Sequence, residues 1–305
     1  MTSDAHRIIE PARIHSLAST ADRQHAGDPE LSSGDPAATH QRSRGLLRLA
    51  WKRRDDTTVL GTMRQEGCLK IRFPRPGPAE WAGAVLINSA GGVAGGDRLR
   101  TEIDAGPDTR ATVASQAAER FYRALPGSFA EVANTITVQA GGALEWLPQE
   151  TILFDGSALR RTLRVALAGD ASFLGVESLV FGRAAMGETL RSAHLRDLIE
   201  IRRDGRLLLH DRIRLDGSAA SLLGRRAVAA GGAAVATLIH VAPHAEARLD
   251  ALRTALAPLE AGASAWDGML VARIVAENGG CLRAALVAGL RVLRDDRPLP
   301  RVWLC

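Results

Sequence analysis

From Gly45 onward the chain is a succession of short apolar runs broken by Gly, Pro and Asp: LLRLAW, CLKIRF, AGAVLI, ATVASQ, NTITVQA, TILF, LRVAL and SFLGVESLVF. Runs this short, bounded by turn residues, are strand signals, and they recur too often for a helical bundle. IEIRRDGRLLLHDRIRLD is the clearest hairpin, because Asp204-Gly205 can supply the positive φ angles of a tight turn. Helical spacing is rarer. AERFYRAL reads as a short helix. AEARLDALRTALAPLE places Leu249, Leu252, Leu256 and Leu259 on one stripe. CLRAALVAGLRVLRDD does the same with Leu282, Leu286, Leu290 and Leu293, and RPLP stops it. Strands and helices do not alternate, which disfavours a doubly wound parallel sheet. The expectation is a mainly β fold: one β-rich domain spanning residues 45–305, with strands to about Val241 and two short C-terminal helices. Residues 1–44 have no sustained apolar period and read as a flexible leader.

The same two-residue period exposes misplaced acids. Leu207, Leu209, Asp211, Ile213 and Leu215 share one strand face, which puts Asp211 on the apolar side. In FLGVESLVF both faces are apolar and Glu177 sits among them. In LEWLPQETILF, Glu150 shares a face with Ile152 and Phe154. An ionised carboxylate removed from water without a partner costs several kcal/mol. Each acid therefore needs an arginine (Arg183 or a neighbour for Glu177), a hydrogen-bond network, a wet passage or a metal. Several acids along one polar interior route could pass a hydrated divalent cation, though oxygen ligands alone do not select which one.

Composition narrows the setting. At 305 residues and 46% hydrophobic the chain can bury a large core. No apolar run is long enough to span a membrane, and the first residues lack the apolar core of a secretory signal. Three widely spaced cysteines, Cys68, Cys281 and Cys305, argue against a disulfide framework and for a reducing cytoplasm. The net charge of +5 comes from arginine, with Lys52 and Lys70 the only lysines. Those arginines are scattered and close to acids, and one tyrosine leaves little for base stacking, so nucleic-acid binding is disfavoured.

The most unusual segment is NSAGGVAGGDRL, Asn88 to Leu99. It lacks the lysine and Ser/Thr of a phosphate-binding P-loop, and its paired glycines do not form the dinucleotide pattern. On its own it reads as a tight bend between strands. His240 and His244 in HVAPH have helical metal-ligand spacing, but Pro243 argues for a loop.

LINSAGGVAGGDRL nevertheless resembles the glycine-rich signature of the urease accessory protein family UreD, also called UreH. The resemblance continues in order through ATVASQAAERFYRA, LEWLPQETILFDGSALRRTLRVAL, FGRAAMGETL and RPLPRVW, covering roughly Gly45 to Trp303. It implies an extended β-helix-like strand arrangement with a short helical portion. It also implies a non-enzymatic, cytoplasmic role in maturing the nickel enzyme urease: binding apo-urease, joining UreF and, through it, the GTPase UreG, within an accessory complex that can hold the chain as a homodimer. The cargo is transient Ni²⁺, with no tightly bound cofactor, and a water-filled internal passage is the implied nickel route. Asp97, Glu177 and Asp211 are its first candidates, with Glu150 and Asp155 next. Two readings from other classes stay open: a β-rich hydrolase using Glu177 and Asp211 as an acid–base pair, and an arginine-rich nucleic-acid module. Carboxylates roughly 5–10 Å apart across an open cleft would favour the hydrolase.

Overall fold

The computed structural model describes residues 41–75, 77, 80–183 and 187–304; residues 1–40 of the expected leader, and Cys305, lie outside them. Strand β1 (Arg44–Arg54) turns back as β2 (Thr57–Gly67), and β3 (Leu69–Arg72) and β4 (Ala82–Asn88) open a second layer. The chain then coils between the layers through β5 (Arg98–Ala105), β6 (Arg110–Ser115), β7 (Glu119–Phe121), β8 (Ala130–Val138), β9 (Ala143–Leu147), β10 (Thr151–Leu153), β11 (Ser157–Leu167) and β12 (Ser172–Phe181). It ends with β13 (Ser192–Arg203), β14 (Arg206–Ser218), α1 (Ala219–Leu223), β15 (Ala234–Val241), α2 (Leu249–Leu256), β16 (Glu260–Trp266), β17 (Met269–Ala276) and α3 (Gly279–Leu293).

The strands form a seven-stranded sheet, β14-β13-β11-β8-β5-β1-β2, and a ten-stranded sheet whose main path is β16-β17-β15-β12-β9-β6-β4-β3. Successive coils stack in parallel, β1–β5–β8–β11–β13 in one layer and β4–β6–β9–β12 in the other. This is the β-helix-like arrangement the family resemblance implies. Antiparallel hairpins β1–β2, β13–β14 and β16–β17 close the ends of the stack.

Two cores follow from this layering. Leu47, Leu49, Ile103, Ile136, Leu163 and Phe173 fill the space between the sheets. Leu238, Leu270 and Ile274, on the other face of the larger sheet, pack against Leu252, Leu282, Leu286 and Leu290 of the helices. The middle strands of the larger sheet, β9 and β12, are therefore buried on both faces. The seven-stranded sheet turns Arg48, Arg100, Arg160, Arg164, Arg196 and Arg212 to solvent.

Asp204 and Gly205 take φ of 47° and 78°, closing the β13–β14 hairpin as their sequence suggests. Three expectations need correction. AERFYRAL is not a helix: Glu119–Phe121 pair in parallel with β10, and this tertiary pairing overrides local propensity. The two helices are not consecutive, because β16 and β17 lie between them, joined at Asp267-Gly268 with φ of 50° and 71°. Leu207 is 44% exposed rather than inward, because the register shifts between Ile201 and Arg202 opposite it.

One buried ion cluster ties the C-terminal segment to the sheet. Glu145 of β9, 1% exposed, receives a bidentate fork from Arg294 just after α3, at 3.0 Å to each oxygen. Arg297 donates to it at 2.6 Å and Thr112 Oγ1 at 2.6 Å. Removing the carboxylate strands two arginines. Glu145→Ala is expected to destabilise the fold by about 3–5 kcal/mol, read as a lowered urea midpoint at unchanged slope. A midpoint equal to that of the unsubstituted protein would show that the C-terminal segment is held by its apolar contacts alone.

Candidate functional site

The site begins with an interruption in the ladder of the larger sheet. Along one edge, β12 pairs with β9 over Ser172–Gly175 and with β10 over Leu179–Phe181. Between those partners run Pro148, Gln149 and Glu150, and proline offers no amide hydrogen to continue the pairing. Glu177 lies on β12 opposite this gap, facing inward and only 5% exposed.

Its partners come from both sheets. Trp146 Nε1 donates to one carboxylate oxygen at 2.9 Å, and Arg161 lies 2.7 Å from the other. Arg161, on β11, also grips Asp197 of β13 with two bonds of 2.9 and 2.6 Å, and donates to Thr151 Oγ1 at 2.9 Å. Arg161 and Asp197 are register neighbours, so adjacent strands preset the fork. The internal salt bridge anticipated for Glu177 thus exists with Arg161. Arg183 pairs instead with Glu188 near the surface, at 2.7 Å. With all three groups charged, the triad carries one excess negative charge. Burial pushes the Glu177 carboxyl up from its ordinary value; Arg161 opposes the shift and Asp197 adds to it.

Arg161 and Glu177 line a cavity of about 240 Å³ between the sheets. Thr101, Glu119, Asn134 and Thr151 add oxygen donors, and Asn88, Gly91 and Gly92 bring the glycine-rich segment to its wall. Asn88 donates to Glu119 at 3.1 Å, while burial raises the Glu119 carboxyl above its ordinary value. Gly92, at φ 145°, packs so closely that a Cβ would sit 2.3 Å from the Tyr122 ring. The paired glycines therefore let the loop lie against β7, where Val93 bridges Phe121.

Asp97 finishes that loop. Its carboxylate accepts from Ser43 N at 2.7 Å and Ala94 N at 2.8 Å, and it does not line the cavity. Asp211 faces inward but pairs with Arg273 at 2.6 Å. Register places Arg273 two strands from Glu177, a separation of about 10 Å between backbones. Glu177 lines the cavity and Asp211 does not; each acid is instead held by its own arginine. Glu150 lies 3.2 Å from Arg283. Asp155 accepts from the Arg191 and Ser192 amides, both at 2.9 Å, and from Arg123; the Ser192 amide is the first reason its carboxyl sits below the ordinary range. Of the five candidates, only Glu177 is at the cavity.

Arg161, Asp197 and Glu119 escaped notice, although a signal existed for two of them. Arg161 alternates with Leu159, Leu163 and Val165, and Asp197 with Leu195, Ile199 and Ile201, which is the pattern that singled out Asp211. Glu119 was hidden by the helical reading of its segment. His240 ends up in β15, with burial lowering its ring pKa to about 4, while His244 sits in a left-handed turn at φ 60°. They do not form a helical pair. Among the described residues no three His, Cys, Asp or Glu side chains converge as a metal-binding group.

The family model described as "UreD urease accessory protein" matches residues 43–304. A UreD urease accessory protein of Xanthobacter autotrophicus is 44% identical over 283 residues, covering 92% of this chain and 96% of its own. That of Rhizobium johnstonii is 45% identical over 263 residues, covering 86% and 96%. A UreD 2 protein of Methylorubrum populi is 44% identical over 276 residues, covering 88% and 92%. The match takes in the glycine loop, the β9–β10 gap and every member of the buried triad. The chain belongs to the UreD family of urease accessory proteins.

Proposed function

We propose that this protein acts in the cytoplasm as a non-catalytic scaffold and metallochaperone of urease maturation. It binds apo-urease, joins UreF and through it UreG, works as a homodimer within that complex, and passes Ni²⁺ toward the urease active site as transient cargo. The observation that carries the nickel part is the cavity between the sheets, whose mostly apolar wall presents Glu119 and Glu177, with Arg161 anchoring its inner side. A divalent ion there meets neutral oxygens and two buried carboxylates, enough to lower the barrier to entry and too few to trap it. Arg161 neutralises much of the triad's charge, which further weakens retention. Because burial raises both carboxyls, protons compete with the ion for them more than for free carboxylates. Asp97 and Asp211 take supporting parts here: Asp97 holds the loop that forms part of the wall, and Asp211 pins β14 toward β17.

Reconstitution with UreF, UreG and apo-urease, scored as nickel- and bicarbonate-dependent urease activity, tests this reading. Glu177→Gln and Glu119→Gln are expected to lower activation several-fold while the complex still co-purifies on a tagged chain. Normal activation by both variants would remove the nickel route. Activation that needs no copy of this chain would remove the maturation role altogether.

A folding control follows from the same carboxyl. A raised folded-state pKa means the folded chain holds the proton more tightly, so stabilisation is fullest at low pH. It is lost as pH rises from the ordinary carboxylate range through the raised value. Glu177→Gln cannot ionise and should show a shallower decline in melting temperature across that window. A decline as steep as that of the unsubstituted protein would place the titration elsewhere.

A further inference from the structure

The outer face of the seven-stranded sheet carries an ordered charge pattern that the nickel route does not use. In-register pairing aligns Arg44, Arg98, Glu131, Arg160, Arg196 and Arg214 in one row across six strands. The row is about 24 Å long at ordinary strand spacing. The next outward row holds Leu46, Arg100, Ala133, Thr162, Leu198 and Arg212, mostly small or apolar between two arginines. Beyond it the charges mix, with Glu102 and Glu200 among Arg48 and Arg164. Two hollows of about 640 and 560 Å³ lie along the first two rows, one flanked by Arg160, Arg196, Arg212 and Arg214, the other by Arg44, Arg98 and Arg100 together with Glu66 and Glu131.

The arginines are partly preorganised and under-neutralised. Phe129 lies beneath both Arg160, at 4.2 Å, and Arg196, at 5.5 Å, holding two guanidinium groups side by side. Glu131 is shared, at 3.3 Å from Arg98 and 3.8 Å from Arg160. Arg44, Arg196 and Arg212 have no carboxylate within 4 Å among the described residues.

From this pattern we infer that the face is a docking surface for an acidic protein segment laid across the strands, its Asp and Glu side chains opposite the arginine row. Planar guanidinium groups match carboxylates two bonds at a time, which point-charge lysines do not. A uniformly anionic partner fits worse. Duplex phosphates or an acidic bilayer would press against Glu102, Glu200 and Asp216 as well as the row, and Phe129 is covered by arginines rather than open for base stacking. A protein segment can place acids against one row and neutral or basic groups against the next. The inference is independent of the nickel route, which lies on the opposite side of this sheet.

The test uses the full chain and a fluorescent peptide of alternating Glu and Ala, read by anisotropy at low salt, with a short DNA duplex and phosphatidylserine vesicles as competing probes. The triple variant R160E/R196E/R212E should weaken peptide binding by on the order of tenfold or more. The control R225E/R226E/R291E, with the same charge change on other exposed arginines, should leave it nearly unchanged. The neutral set R160Q/R196Q/R212Q should fall between, and it guards against misfolding in the charge-reversed protein. Equal loss in the reversed and control sets would reduce the effect to net charge. Tighter, row-dependent binding of the duplex or the vesicles would overturn the choice of a protein partner.

Discussion

The Arg161 guanidinium reaches two carboxylates that belong to opposite sheets, Glu177 on the larger and Asp197 on the smaller. Each of these charges would cost several kcal/mol if buried alone. Together, with Trp146 and Thr151 completing the bonds, they form a cluster that can sit between apolar layers. The cluster also fixes geometry: Arg161 cannot bridge unless β11, β13 and β12 are correctly registered. A slip of one residue would turn Arg161 outward and leave both acids unpaired. The interaction that puts charge on the cavity wall therefore also constrains the coil stacking around it.

Strand-by-strand, much of this was legible in the sequence. Period-two alternation and Asp-Gly turns mark strands, and the β13–β14 hairpin follows directly from Asp204-Gly205. Asp267-Gly268 carries the same signal, yet the leucine stripes on either side drew attention to helices and hid β16–β17. Local pattern could not show that β7 is a strand, since three residues become one only by pairing with β10 and with Val93. Likewise the period finds a buried acid but not its partner. Glu177 and Asp211 look alike in sequence; pairing sends one to Arg161 at the cavity and the other to Arg273 two strands away. Asp97 looked like a site residue because of its glycines, whereas two backbone amides already occupy its carboxylate.

Parallel in-register stacking accounts for both faces of the seven-stranded sheet. Each coil adds one residue to every row, so a residue type repeated at the same position of successive strands becomes a line. On the inner face those lines are mostly Leu, Ile and Val, interrupted by Thr101, Asn134, Arg161 and Asp197. On the outer face they become the arginine row. On the larger sheet, α2 and α3 cover the β15–β17 end, and Glu145 with Arg294 locks the chain beyond α3 in place. The asymmetry leaves one sheet to organise the core and the other to meet solvent.

In the proposed nickel route, the same economy of charge would favour passage over storage. A resident divalent site usually gathers several anionic ligands within bonding distance. Here one of the two cavity carboxylates is already engaged by an arginine, and Glu119 is held by Asn88. Burial raises both carboxyls above their ordinary value, so protons compete more strongly with an entering ion for them. Each contact is therefore weak relative to that of a free carboxylate cluster, while the neutral oxygens of Thr101, Asn134 and Thr151 can replace part of a hydration shell. Shallow binding spread over many oxygens permits an ion to leave as readily as it enters. Strengthening any one contact, for instance by freeing Glu177 from Arg161, would deepen a single well at the expense of movement and would leave Asp197 and Glu177 repelling each other whenever the ion was absent.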